Sequence, residues 1–282
     1  EFCETTGFPC FTNGMARGQM PMSHPLFFSR ARKAALAEAD VVVLAGTPLD
    51  FRMRFGGSIP DDTPIIQLDM DDTLIGQNRS ATVGLAGNLG ANLDELACLV
   101  GRVDDRFDDW RRQLRQVEDE AAAALATQLD SDEVPIDPLR LCHEIAEVVA
   151  ADDSMIVIGD GGDIVAQASK VLRVADNGTW MDPGPLGTLG VGMPFAIAAQ
   201  IAHPDRRVLI VYGDGSFGLN GFEYDTAVRF GLPIVGIVGN DAAWGQMMRP
   251  QGSIYGWDNL HATLLDFTRS DKVVAALEII TS

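Results

Sequence analysis

The stretch "VLIVYGDGSFGLNGFEYDTAVRFGLPIVGIVGNDAAWG", Val208–Gly245, decides the fold. It opens on a β-branched apolar run that stops at Gly213-Asp214-Gly215. A helical segment near Gly221–Phe230 follows, and a second apolar run stops at Gly239-Asn240-Asp241. Short continuous apolar runs separated by a helix predict parallel strands covered on both faces. In doubly wound sheets of that kind, ligands bind beyond the carboxyl ends of the strands. Acids beside glycines at two such ends are therefore a candidate site.

The residue types suggest the chemistry. Gly213 and Gly215 leave the backbone around Asp214 open to close approach by a ligand. Ser216 and the following amides sit where a helix begins, a place that suits a phosphate. A carboxylate beside a phosphate repels it unless a cation lies between them. Mg²⁺ or Ca²⁺ accepts oxygens from carboxylates, amides, backbone carbonyls and diphosphate together. The physical reading is a divalent ion bridging the protein to a diphosphate. Asp214 supplies one oxygen, the Asn240-Asp241 turn a second and a nearby carbonyl a third.

Upstream the same grammar repeats. "PLRLCHEIAEVVA" reads as a helix, "SMIVIGDGG" as a strand and "DIVAQASKVL" as a helix. Then come "GTWMDPGP" and the glycine-rich "LGTLGVGMPFAIAAQIA". Gly159-Asp160 makes a third strand end of the glycine-acid type. Further toward the N-terminus, "PLFFSRARKAALAEAD" has helical periodicity, and "VVVLAG", "TPIIQLDM" and "ATVGLAGN" read as strands, with a helix from Asn88 to Val100. Ala45-Gly46-Thr47 has the look of a nucleotide-type βα turn, although no G-x-G-x-x-G is present. A charged helix is expected from Asp104 to Asp130. The two prolines of "SDEVPIDP" then break the pattern. The expected organisation is α/β, two doubly wound domains with mainly parallel sheets, at residues 1–130 and 131–282.

Composition excludes some partners. The 40 acidic and 21 basic side chains leave a net charge of −19. That disfavours nucleic acid, which needs clustered Lys and Arg, and fits a cytoplasmic enzyme. No apolar run approaches the roughly 18 residues of a membrane span, so no membrane partner is expected. The four cysteines make no C-x-x-C pair, and the four histidines are scattered. Both sets read as structural or surface residues.

Val208–Gly245 resembles the diphosphate-binding motif of thiamine-diphosphate-dependent enzymes, in which Gly-Asp-Gly is followed within thirty residues by Asn-Asn. Here Asp241 follows Asp214 by 27 positions, and an Asp stands where the family has its second Asn. A carboxylate still ligates Mg²⁺. The resemblance implies Asp214, Asp241 and the backbone carbonyl of Ala243 as metal ligands. It also implies cofactor contacts from Gly213, Gly215, Ser216, Ala243, Trp244 and Gly245. "PLGTLGVGMPFAIAAQ" resembles the family segment that grips the aminopyrimidine ring, which assigns Gly187, Thr188 and Leu189 to that end. Gly161, Gly162 and Asp163 fall where the family often adds contacts. Gln246 and Met247, with Trp244 and Met248, fall where it faces substrate.

The N-terminal stretch from "FTNGMARGQMP" through "ATVGLAGN" resembles the central domain of acetolactate synthase-like enzymes. In the family that domain holds FAD, an adenine nucleotide or nothing, and no residue here settles which. Arg52 and Arg54 are phosphate candidates that read better as surface arginines. The family's activating Glu belongs to a pyrimidine-binding domain N-terminal to the central one. The resemblance therefore implies no catalytic residue within this chain, and a fragment of a longer enzyme is expected. The resemblance implies carbon–carbon lyase or ligase chemistry of the acetolactate synthase type on 2-keto acids, with a 2-hydroxyacyl-CoA lyase or oxalyl-CoA decarboxylase type acting on acyl-CoA as the alternative, carried out by a homodimer or homotetramer. The alternative from another class is a non-catalytic nucleotide- or cofactor-binding module.

Overall fold

The computed structural model describes residues 1–103, 105–174 and 179–278. The chain forms two compact units. One comprises Glu1–Asn13 with Ser23–Leu125, the other Gly14–Met22 with the chain from Ala126 onward.

The first unit begins with a short helix α1 (Phe2–Thr6) and continues through α2 (Arg32–Glu38), β1 (Val42–Ala45), β2 (Ile65–Asp69), β3 (Val83–Ala86), α3 (Leu89–Val100) and α4 (Asp108–Ala123). The strands pair in parallel in the order β1-β2-β3, with Val42 opposite Ile65 and Ile66 opposite Val83. Val42, Leu44 and Ile65 pack with Leu49, Met53 and Ile59 into its core. Asn88 caps α3 by accepting from the Ala91 amide at 3.0 Å.

Three expectations are corrected in this unit. The apolar segment 25–40 is helical only over α2, because its first half is claimed by other partners. Phe28 donates to the Cys10 carbonyl, and Cys10 to that of Leu26. The amides of Ser29, Arg30 and Ala31 all donate to one carboxylate, Glu118 of α4, at 3.0, 2.7 and 2.9 Å. The charged helix is shorter than its charge pattern, running over α4 and resuming as α5 (Ala126–Leu129). Asp104, its expected start, lies outside the described residues. The turn at Gly46 leads into a 3₁₀ segment, Phe51–Gly56, so no α-helix N-terminus forms there to receive a phosphate. Within that segment Arg52 is spent on the Asp50 carboxylate, and Arg54 is exposed.

The second unit contains α6 (Pro138–Ala150), β4 (Ile156–Asp160), α7 (Asp163–Val171), β5 (Trp180–Met181), α8 (Gly192–Ala202), β6 (Val208–Gly213), α9 (Asp214–Asn220), α10 (Tyr224–Arg229), β7 (Ile234–Gly239), α11 (Gly245–Tyr255) and α12 (Ser270–Glu278). Asp137 caps α6 through the Leu139 amide at 2.7 Å, with Pro138 at the first helical position. All strands are parallel, in the order β5-β4-β6-β7. Alternate residues face opposite layers, as the two-residue period of a strand requires. Val157, Leu209 and Val211 pack with α6 and α7 residues such as Ile145 and Ala168. Ile156, Ile158, Ile210 and Tyr212 pack with Met193 and Ala196 of α8, and with Phe217 and Tyr224. Each such aliphatic side chain contributes about 1.5–3 kcal/mol on burial, so the two layers hold the sheet rigidly under the loops at its carboxyl edge. The chain leaves β4 toward β5 on one side and returns to β6 on the other, which puts the topological switch point between β4 and β6.

Candidate functional site

The expected residues gather at that carboxyl edge, all within the second unit. Gly213 pairs in register with Gly239, so Asp214 and the Asn240-Asp241 turn leave adjacent strands at the same end. Asp214 is the first residue of α9 and accepts from the Gly215 amide at 2.8 Å. Asp241 has its pKa raised, first by partial burial and then by the negative charge of Asp214. The two carboxylates are therefore close enough to repel each other. Among the described residues neither has an ion-pair partner, and no group of three or more His, Cys, Asp or Glu side chains forms a closed metal cage. Two unneutralised carboxylates facing each other are a donor set that a hard cation completes.

The turn between them is shaped by its own side chain. Asn240 accepts from the Ala242 amide at 3.1 Å and donates to the Thr268 carbonyl at 3.0 Å. Ala242 takes a left-handed conformation, φ 53°, which costs a non-glycine residue energy and bends the chain sharply. On either side of Ala243 the backbone is pinned. Leu265 donates to the Ala242 carbonyl and Trp244 to the Thr263 carbonyl, both at 2.7 Å. No donor among the described residues reaches the Ala243 carbonyl, which remains open as a third oxygen.

Glycines permit the close approach of these parts. A Cβ at Gly245 would lie 2.6 Å from Oδ2 of Asp163 and 2.9 Å from Oδ2 of Asp241. A Cβ at Gly215 would lie 2.5 Å from the Trp244 ring, which packs on the first turn of α9. Gln246 lies against Gly162, so α11 reaches back to the loop after β4. Asp163 is paired with Arg249. Met247 is exposed and Met248 half-buried. Gly187 is left-handed at φ 67° and exposed with Thr188, whereas Leu189 is half-buried. Ser216 is buried.

Three contributors were not assigned from sequence. Asp160 was grouped with the other strand-end acids, but it is fully buried and turned to backbone amides. Asn220 donates its side-chain amide to the Gly190 carbonyl. Arg249 holds Asp163. The first carried a visible signal in Gly159-Asp160, and the other two carried none in local pattern.

With this geometry the class is defined. Residues 160–279 match the family described as thiamine pyrophosphate enzyme, C-terminal TPP binding domain, and residues 1–96 match the thiamine pyrophosphate enzyme, central domain. The chain belongs to the thiamine pyrophosphate enzyme family, of which it carries these two domains. Among curated proteins it is 38% identical over 274 residues to a probable acetolactate synthase of Mycobacterium bovis and to the acetolactate synthase large subunit IlvG of Mycobacterium tuberculosis. Each alignment covers 97% of this chain and 49% of the relative. It is 35% identical over 281 residues to 2-hydroxyacyl-CoA lyase 2 of Caenorhabditis elegans, covering 97% of this chain and 43% of that protein. The chain thus spans about half the length of the curated relatives it matches. No described helix is long and apolar enough to cross a membrane.

Proposed function

We propose that this chain binds thiamine diphosphate through Mg²⁺ and serves an enzyme that makes or breaks carbon–carbon bonds beside a carbonyl, acetolactate synthase-like, with 2-keto acid substrates. The observation that carries the reading is the facing pair Asp214 and Asp241 at the ends of β6 and β7, with no protein cation between them. In this reading the two carboxylates and the Ala243 carbonyl hold the metal. The backbone at Gly213–Ser216 takes the diphosphate, the face of Gly215 being occupied by the Trp244 ring, with Gly245 alongside. Gly187, Thr188 and Leu189 hold the aminopyrimidine end. The chemistry such a cofactor supplies when bound is an electron sink for the bond-breaking step.

The chain's own residues orient and enclose. Asn240 and Ala242 fix the turn that presents Asp241, and the Trp244 ring covers α9 at Gly215. Gln246 and Met247, at the start of α11, stand where a substrate would be met. A second reading, a lyase acting on 2-hydroxyacyl-CoA, is favoured by the animal relatives that carry that name at comparable identity.

The test is thermal stabilisation by thiamine diphosphate with and without Mg²⁺, against ADP and NAD as competitors for the reading. Stabilisation by thiamine diphosphate that requires Mg²⁺ supports the proposal. A response to ADP or NAD alone would replace it with a nucleotide-binding module.

A further inference from the structure

One buried carboxylate in the second unit has no part in holding the metal. Asp160 ends β4 with no solvent exposure. Its Oδ1 accepts from the Gly190 amide at 2.9 Å and its Oδ2 from the Gly192 amide at 2.7 Å. A carboxylate in such a place is costly unless donors face it, and here two backbone amides do.

Both donors belong to one piece of chain. Gly190 and Gly192 lie directly after Gly187–Leu189 and lead into α8. The far end of α9 is tied to the same turn, because Asn220 donates to the Gly190 carbonyl. Gly190 is thus held by its amide and by its carbonyl. The segment that would meet one end of the cofactor is fastened to the end of β4, which pairs with β6, and to the helix that meets the other end. Gly192 has no room to shift toward the sheet, since even a Cβ there would lie 2.6 Å from the Tyr212 ring.

We propose that Asp160, together with Asn220, is a positioning residue that sets the separation between the Gly187–Leu189 segment and the Asp214–Ser216 segment. The pair thereby selects ligands that span both. Asp160 touches no ligand itself; it acts through Gly190 and Gly192. The inference rests on the thiamine diphosphate reading, and the experiment separates the two.

Dissociation constants are measured by titration calorimetry on the full-length protein, in Mg²⁺, for thiamine diphosphate and for inorganic pyrophosphate. Pyrophosphate engages only the metal side. In Asp160→Asn, thiamine diphosphate binding should weaken about tenfold or more, the worth of one charge-assisted hydrogen bond, while pyrophosphate binding changes less than about threefold. Asn220→Ala should shift the ratio of the two constants the same way by a smaller factor. A general loss of structure would weaken both ligands alike, so an unchanged ratio in both variants overturns the proposal. If Asp160→Asn yields no folded protein, the ratio in Asn220→Ala decides alone. A wild type that binds pyrophosphate but is indifferent to the thiamine moiety overturns the cofactor reading first, and this inference with it.

Discussion

Asp214 and Asp241 carry opposite obligations to stability and to binding. Each is a charge near another of its own sign, so removing either relieves repulsion in the empty site. Asp214→Asn and Asp241→Ala should therefore fold at least as stably as the parent while losing Mg²⁺-dependent affinity for thiamine diphosphate by about a hundredfold, roughly the worth of one charged ligand. Calorimetric titration paired with a melting curve checks both halves, and retained affinity in both variants would sink the metal assignment. Gly245→Ala works by geometry alone. The added carbon would stand within van der Waals range of the Asp163 and Asp241 carboxylates, and α11 cannot yield without moving Trp244. Expected is about a tenfold loss of the same affinity with a modest fall in stability, on the order of 1–3 kcal/mol as for other overpacked sites. Wild-type binding in Gly245→Ala would show that the carboxylates have more room than the structure gives them.

At the scale of elements, the N-terminus of α2 depends on a residue of α4. Its first amides lack partners within the helix, as every helix start does, and Ala31 offers no side-chain cap. Glu118 replaces that cap. It takes the amides of Ser29, Arg30 and Ala31, the Ser29 hydroxyl at 2.8 Å and the Arg30 guanidinium at 3.2 Å. Burial on its own would raise the Glu118 pKa. The amide of Ala31, the Ser29 hydroxyl and the remaining amides outweigh it, and the net value lies below the ordinary 4.5. A carboxylate with a depressed folded-state pKa stabilises fully above its unfolded value and loses that contribution as pH falls through the folded one. Acid should thus loosen α2 from about pH 4.5 downward, and Glu118→Gln should flatten that dependence while opening α2 at neutral pH. Hydrogen exchange at the amides of residues 29–35, followed against pH, reads this directly. Glu118→Ala should cost about 3 kcal/mol of local stability, since it strands three amides and a guanidinium. Protection at those amides equal to the parent would remove Glu118 from this role.

For the whole molecule, charge is the governing quantity. A net charge of −19 spread over 282 residues makes the folded chain repel itself. Raising salt from about 0.01 M to about 0.15 M shortens the screening length from roughly 30 to 8 Å. The melting temperature should then rise, as measured by circular dichroism. A fall would mean that the surface ion pairs, such as Arg140 with Glu144, outweigh the self-repulsion. The α/β class and six of the seven parallel strands among the described residues were legible in the sequence, all but the two-residue β5, because a buried strand writes itself as a short apolar run and a helix as a 3.6-residue period. Both are local signals. The acids at 214 and 241 were legible for the same reason, as fixed positions relative to the strands that precede them. Sequence periodicity failed where a distant partner took over the backbone. Residues 25–31 follow a helical pattern, yet the amides of residues 29–31 went to a carboxylate 87 to 89 residues away and that of Phe28 to the Cys10 carbonyl. The tertiary structure alone decided that Asp160 points inward to Gly190 and Gly192 rather than outward to a ligand. It also decided that Trp244 covers Gly215, that Gln246 lies on Gly162, and that Gly14–Met22 packs with the second unit. Each of these is a choice of partner between residues far apart in the chain, and no spacing within one segment encodes it.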